Sequence, residues 1–100
     1  MEIREFQRLM REIYGHNDSV RGTEKTYLWF FEETGELAEA LRQDDGGQIA
    51  RKQIAREMAD VFAWMVSIAN MLDIDVEDAC LAKYPLKCPR CGANPCTCGK

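Results

Sequence analysis

The sequence contains a single histidine, His16, in 100 residues. The Glu-x-x-His pairs of ferritin-like di-iron bundles are therefore excluded. Basic residues are also in the minority, 13 against 17 acidic ones, which gives a net charge of −4. This balance argues against a surface for nucleic acid, so we expect no nucleic-acid partner.

Long hydrophobic segments are missing as well. The longest nearly unbroken apolar run, VFAWMVSIANML at 61–72, is well short of the roughly 20 residues that a membrane-spanning helix needs. The first residues, MEIREFQRLMRE, are charged and amphipathic, so we expect no secretory signal. We therefore expect a cytoplasmic protein without a membrane partner. Five cysteines in such a protein suggest metal or redox chemistry before disulfides.

Apolar residues recur at helical spacing from the start of the chain, and no segment has the period of a β-strand. This spacing predicts a first helix over 2–14. The next segment, GHNDSVRG at 15–22, is rich in turn formers and predicts a loop. A second helix is expected from Thr23, which can serve as its N-cap, to Arg42.

The sequence QDDGG then predicts a turn, because aspartate and glycine favour one. A third, long helix is expected over about 48–72. Asp75 is a candidate N-cap for a short fourth helix that ends before Pro85. The predicted fold is all-α, a four-helix bundle at 1–86 followed by a cysteine-rich tail at 87–100.

Two carboxylates of the third helix lie in or beside its apolar stripe. At about 100° per residue, Glu57 falls within roughly 60° of the apolar residues on that face, and Asp60 lies at the edge of the stripe. Burying an isolated carboxylate is unfavourable by several kcal/mol unless something compensates its charge. The apolar residues that share this face are Ala50, Ile54, Val61, Trp64, Ile68 and Met71.

The second helix repeats this arrangement with Glu33 and, three residues later, Glu36. Glu33 shares its side of the helix with Trp29, Phe30, Leu37 and Ala40. If the two helices pack antiparallel, both acidic pairs converge on one small volume.

A divalent cation is the simplest compensation for four such carboxylates. Lys25 and Arg56 flank them by helical phase without lying among them. Oxygen ligands alone favour a hard ion, Mg²⁺ or Mn²⁺. The alternative for any one of these acids is a residue at the edge of a helix whose head group reaches water.

Glu33-x-x-Glu36, a gap of twenty residues and Glu57-x-x-Asp60 resemble the signature of the MazG-type nucleoside triphosphate pyrophosphohydrolases. The segments EETGELAEAL and REMADVFAWMVSIANMLDID are similar to the corresponding sequences of the family. The resemblance covers about residues 23–84. It implies an all-α NTP pyrophosphatase bundle, an enzyme acting on acid anhydrides, that hydrolyses nucleoside triphosphates to the monophosphate and pyrophosphate. The four acids would be its Mg²⁺ ligands.

The chemistry of this hydrolysis suggests roles for single residues. Glu36 is our candidate general base, since its position at the edge of the stripe lets it meet solvent. Lys25 and Arg21 are candidates for contacts with phosphate, Trp29 for stacking on a base, and Lys83 for phosphate on the resemblance alone. Solvated charges and a packed aromatic ring are the alternatives. Many family members carry a further acid where this chain has Arg56, which bears on substrate preference.

The third helix is apolar over more than half of its circumference. A helix of this kind needs partners on more than one side. We therefore expect a homo-oligomer, a dimer or tetramer, with the site near a subunit interface. The residues that widen the apolar surface are Met58, Phe62, Met65, Val66 and Ala69.

The tail CPRCGANPCTCGK spaces its cysteines as C-x2-C-x4-C-x-C. Four thiolates suit a structural Zn²⁺, and without a metal this nearly apolar-free tail would be disordered. A flexible thiol tail or a redox pair is the alternative. The four residues are Cys88, Cys91, Cys96 and Cys98, while Cys80 in the fourth helix is predicted to lie in the core.

The leading functional hypothesis is Mg²⁺-dependent hydrolysis of nucleoside triphosphates in nucleotide-pool sanitising. A phosphoribosyl-ATP pyrophosphohydrolase-like enzyme is a second possibility within the same fold. The third is a non-enzymatic helical oligomer that binds a partner through its zinc tail.

Overall fold

The computed structural model describes residues 1–99, which form an all-helical fold. Helices α1 and α2 span Ile3–Arg21 and Thr23–Arg42, and α3 and α4 span Gln48–Met71 and Val76–Lys83. No strand occurs in residues 1–99, so the predicted all-α class is confirmed. None of the helices in this described part of the chain is long and apolar enough to cross a membrane.

The loop predicted over 15–22 was wrong, because α1 continues to Arg21 and carries His16 on an exposed surface. Polar residues of this segment form an ion pair and a hydrogen bond within the helix. Arg21 forms an ion pair at 2.8 Å with the buried Asp18, one turn earlier. The Ser19 hydroxyl donates a 2.8 Å hydrogen bond to the His16 carbonyl. Tertiary packing of Asp18 thus overrides the weak helix propensity of the sequence.

Gly22 alone connects α1 to α2. Its φ of +86° lies in the region that favours glycine. Gly22 also occupies the N-cap position of α2, so Thr23 is the first helical residue and not the cap that the sequence suggests. Thr26, which is fully buried, donates its hydroxyl to the Gly22 carbonyl at 2.7 Å, and the Gly22 N–H donates to the Asp18 carbonyl at 3.0 Å. Gly22 is therefore hydrogen-bonded to both helices.

Helices α2 and α3 pack antiparallel and share the most extensive helix–helix interface of the fold. The Trp29 and Trp64 rings stack with centroids 6.0 Å apart and planes 6° apart. One turn further along α2, Glu33 lies near Glu57, which precedes Trp64 on α3. Residues further along α2 therefore contact residues earlier in α3. This is the antiparallel arrangement that the predicted turn requires.

Arg4 and Gln7 of α1 both form polar contacts with α4. Arg4 forms ion pairs with Asp75, Glu77 and Asp78 at 2.9, 2.9 and 2.7 Å. Asp75 caps α4 as predicted, accepting a 2.9 Å hydrogen bond from the Asp78 N–H. The prediction that Cys80 lies in the core was wrong, because α4 packs on α1 and leaves this thiol exposed.

The hydrophobic core of the single chain is thin. Its buried apolar side chains are Met10, Ile54, Val66 and Ala69. Large apolar side chains on α2 are exposed at the same time, with Leu28 at 68% and Phe31 at 67%. The helices therefore position a site without fully covering their own apolar surfaces.

Candidate functional site

Three carboxylates meet between α2 and α3. One oxygen each from Glu33, Glu57 and Asp60 lies within 4.8 Å of the other two. Glu33 and Glu57 are half-buried and Asp60 is exposed. The convergence follows from helix geometry, since Glu57 and Asp60 are one turn apart on the face of α3 that meets Glu33. We call these three residues the acidic cluster.

Two oxygens of the acidic cluster are buried without a hydrogen-bond partner, Oε2 of Glu33 and Oε2 of Glu57. The other oxygen of Glu57 accepts a 2.8 Å hydrogen bond from Gln53. A third such oxygen in residues 1–99 belongs to Asp18, but the charge of that carboxylate is paired with Arg21. No ion pair described in residues 1–99 involves the acidic cluster. Since buried polar atoms rarely lack partners, these oxygens fit a hard cation.

Glu36 lies beside this cluster rather than within it. It is exposed, one turn after Glu33 on α2, and its oxygens are outside the group of three that lie within 4.8 Å. Burial, followed by the charge of Glu36, a side-chain hydrogen bond with Glu36 and the charges of Asp60 and Glu57, raises the pKa of Glu33 to about 7. A cation among these groups would oppose that shift, because it favours the ionised form.

A pocket of about 300 Å³ opens beside Asp60. Arg21 lies in its wall, with its guanidinium carbon 4.8 Å from the centroid of the Trp64 ring. Both terminal nitrogens of Arg21 donate to Oδ1 of Asp18, at 2.8 and 3.0 Å. The pocket therefore combines an anchored cation with aromatic and amide groups next to the acidic cluster. Its lining residues are Tyr14, Asn17, Arg21, Asp60, Ala63, Trp64 and Ser67.

Sequence reasoning missed Asn17 and Tyr14 as pocket residues. It placed Asn17 in a loop, and the helical phase that brings both residues to Trp64 exists only because α1 continues to Arg21. Trp64 itself was assigned to the apolar stripe. Its position four residues after Asp60 was a usable signal, since residues i and i+4 share a helix face.

The predicted substrate contacts are placed in different surroundings. Arg21 lines the pocket. Trp29 packs on Trp64 with 46% of its surface exposed. Lys25 is exposed in the first turns of α2, and Lys83 is exposed in the last turn of α4. Neither lysine lines this pocket or forms an ion pair in residues 1–99.

The tail forms a second cluster, of thiols. One sulfur each from Cys88, Cys91, Cys96 and Cys98 lies within 4.8 Å of the other three, and no disulfide links these four residues. A hydrogen bond from the backbone of Thr97 is the largest of the effects that lower the pKa of Cys91 to about 5. This group of thiols can hold a metal ion.

Comparison with known families agrees with the acidic motifs. Residues 21–92 match a family model described as the MazG nucleotide pyrophosphohydrolase domain. The chain belongs to the MazG family. The matched region contains α2, α3 and α4, and therefore both acidic pairs, whereas most of α1 precedes it. The comparison with proteins of curated function gives no match.

Membership of the MazG family confirms the resemblance inferred from the acidic motifs. It supports a nucleotide pyrophosphohydrolase activity and the binding of a nucleotide. The unpartnered oxygens of Glu33 and Glu57 agree with a family that is typically metal-dependent.

Proposed function

We propose that this MazG-family protein hydrolyses nucleoside triphosphates to the monophosphate and pyrophosphate in an Mg²⁺-dependent reaction that cleanses the nucleotide pool. One observation carries the proposal. Glu33, Glu57 and Asp60 place three oxygens within 4.8 Å of one another, and Glu33 and Glu57 each have a carboxylate oxygen that is buried without a partner. A cation with oxygen ligands would compensate these charges, and the phosphate oxygens of a nucleotide are ligands of the same kind.

Glu33, Glu57 and Asp60 would hold Mg²⁺ or Mn²⁺, with Glu36 at the edge of the site. The metal would neutralise phosphate charge and lower the pKa of a water molecule bound to it. Glu36 is the proposed general base, because its carboxylate is exposed and lies outside the group of three converging oxygens. It would take the proton of a water molecule that attacks the α-phosphorus as pyrophosphate leaves.

The pocket beside Asp60 is the proposed place for the nucleoside and the first phosphate. Its volume of about 300 Å³ is at the small end of ligand sites, and its wall carries Tyr14 and Trp64, which suit the flat face of a base. Arg21 is the phosphate contact that we favour, since Asp18 already fixes its orientation. Trp29 then supports Trp64 from α2. The contacts of Lys25 and Lys83 with phosphate remain predictions.

We also propose that the protein is a homo-oligomer in which a second copy covers the exposed face of α2. Tyr27, Leu28 and Phe31 lie within four residues of one another and form one apolar stripe, and they are 37%, 68% and 67% exposed. Met58 of α3 is 51% exposed as well. Apolar surfaces of this kind commonly mark protein–protein contacts.

Pyrophosphate release is the experiment that tests the reaction. Canonical and damaged nucleoside triphosphates, together with phosphoribosyl-ATP, are incubated with the protein and Mg²⁺ or Mn²⁺. Release of pyrophosphate rather than orthophosphate is expected for at least one of them. Glu57→Gln should abolish pyrophosphate release without loss of the helical circular dichroism signal. Glu32→Gln is the control, because Glu32 is exposed on α2 next to Glu33, and this variant should keep its activity.

The proposal fails if folded, metal-supplied protein releases pyrophosphate from no nucleotide in the panel. It also fails if Glu57→Gln retains full activity.

A further inference from the structure

The tail sulfurs have the spacing of a tetrahedral metal site. The Cys88 and Cys98 sulfurs are 3.7 Å apart, those of Cys91 and Cys96 are 4.0 Å apart, and those of Cys96 and Cys98 are 3.4 Å apart. Zinc–sulfur bonds of about 2.3 Å in a tetrahedron place sulfurs about 3.8 Å apart. A disulfide would require about 2.05 Å. The sulfur positions therefore favour a shared ion over cross-links.

The backbone around the first two cysteines folds into a tight turn. The Gly92 N–H donates to the Cys88 carbonyl at 2.8 Å, and the Cys88 N–H donates to the Ala93 carbonyl at 2.9 Å. Gly92 has a φ of +76°, which few other residues adopt. Further on, the Cys98 N–H points at the Cys96 sulfur at 3.4 Å. These contacts hold both halves of the motif with their sulfurs turned towards one point.

Burial of side chains contributes little to the folding of residues 84–99. None of residues 84–99 is buried, and Leu86, its largest aliphatic side chain, is 82% exposed. No ion pair described in residues 1–99 involves the segment 86–98. A segment with so little burial cannot offset the conformational entropy lost on ordering. Metal binding supplies that free energy in small cysteine-rich folds.

The local charge also favours thiolates. The chain has no aspartate or glutamate after Asp78, and Lys87 and Arg90 lie next to the first two cysteines. Nearby cations stabilise the ionised form of cysteine, which is the form that binds metal. Four sulfur ligands select a soft ion, and the hard ion proposed for the acidic cluster suits them poorly.

We propose that Cys88, Cys91, Cys96 and Cys98 bind one structural Zn²⁺, and that this ion alone keeps residues 86–98 folded. Each thiol releases its proton as its sulfur bonds to zinc, so no oxidant is involved. The helical body α1–α4 does not depend on this ion, because its own packing and the Arg4 ion pairs hold it. The zinc module is therefore a second unit, separate from the acidic cluster.

Metal content is the first test. Protein purified under reducing conditions should contain one zinc ion per chain, measured by elemental analysis and by native mass spectrometry. Cys91→Ser and Cys98→Ser should each lose it. Cys80→Ser is the matched control, since this cysteine is exposed on α4 and outside the cluster, and it should retain the ion. Glu57→Gln should retain it too, which separates this site from the proposed catalytic one.

Hydrogen exchange is the second test. A chelator should bring the amides of 86–98 to the exchange rate of an unfolded peptide, while amides in α2 and α3 keep their protection. Added Zn²⁺ should restore the tail. Zinc-free reduced protein, a tail that stays protected in chelator, or zinc loss in Cys80→Ser equal to that in Cys91→Ser would each overturn the proposal.

Discussion

The guanidinium of Arg21 lies over the indole ring of Trp64, 4.8 Å from its centroid. This contact joins the end of α1 to the middle of α3, and Asp18 fixes it from the preceding turn of α1. Arg21 is also the first residue of the region that matches the MazG family. The pocket is thus built partly from a helix that lies almost wholly outside that region.

Arg21→Met should weaken nucleotide binding more than catalysis. The substitution removes the cation and also the ion-pair partner of the buried Asp18, so kinetics are compared only where circular dichroism shows folded protein. It keeps an unbranched side chain against Trp64. A lost hydrogen bond to a charged group corresponds to about 1.5–3 kcal/mol, which is roughly a tenfold to hundredfold change in affinity. Steady-state kinetics should therefore show a raised KM with a smaller change in kcat. Arg42→Met, which removes an exposed ion pair with Glu39, is the control. An unchanged KM in Arg21→Met would remove Arg21 from the proposed site.

Glu36→Gln and Glu57→Gln should both lose activity, but for different reasons. If Glu36 is the general base, its amide variant should still bind Mn²⁺ but lower kcat by roughly 10²–10⁴-fold. Glu57→Gln should lose Mn²⁺ binding itself, since it removes a ligand. Isothermal titration with Mn²⁺, alongside kcat, separates the two effects. Loss of Mn²⁺ binding in both variants would instead make Glu36 a ligand.

The stability of metal-free protein should fall as pH rises through neutrality. The pKa of Glu33 is raised to about 7, chiefly by burial, so folded protein holds this proton more tightly than unfolded protein does. The stabilising contribution is complete below about pH 4.5 and is lost as pH passes through about 7. Thermal unfolding from about pH 5 to pH 8 measures it, with Glu33→Gln as the variant that lacks this dependence.

Mg²⁺ should counteract the loss, because a cation pairs with the ionised carboxylate. Its affinity should therefore rise over the same pH range as the Glu33 proton is released. If Glu33→Gln shows the same pH dependence as the unmodified protein, Glu33 is not the group responsible.

Phe31→Glu should dissociate the proposed oligomer. A charge placed in the exposed stripe of α2 would have to be buried at the interface, which is unfavourable. Analytical ultracentrifugation should show a smaller species than the unmodified protein. Val20→Glu on α1, where the side chain is 73% exposed, is the control. Gly35 follows Phe31 by one turn, and a methyl group at its Cα would meet nothing within 4 Å, so a second copy has room to approach. A monomeric unmodified protein would contradict the proposal.

The acidic cluster could be predicted from sequence because helix periodicity is local. Glu33 and Glu57 each fall in an apolar stripe, and a short turn forces the two stripes to face each other. The class of fold follows from the same periodicity. No knowledge of distant contacts is needed for either inference.

Other features depend on contacts between distant residues. The continuation of α1 rests on Asp18, a polar residue that is buried only after α1 has packed on the other helices. The exposure of Cys80 depends on which face of α4 packs on α1. The residues next to Cys80 in the sequence do not determine that face. The pocket beside Asp60 needs α1 and α3 in register, which the spacing of side chains on either helix alone does not determine.

Gly22 is the one residue between α1 and α2, so its torsion angles determine the direction in which α2 leaves α1. Glu33 is eleven residues from Gly22, about 16 Å along the helix axis. A swing of about 20° at residue 22 would carry its carboxylate about 6 Å, further than the whole spread of the three converging oxygens. The torsion angles of Gly22, a residue outside the acidic cluster, therefore affect how far the Glu33 carboxylate lies from those of Glu57 and Asp60.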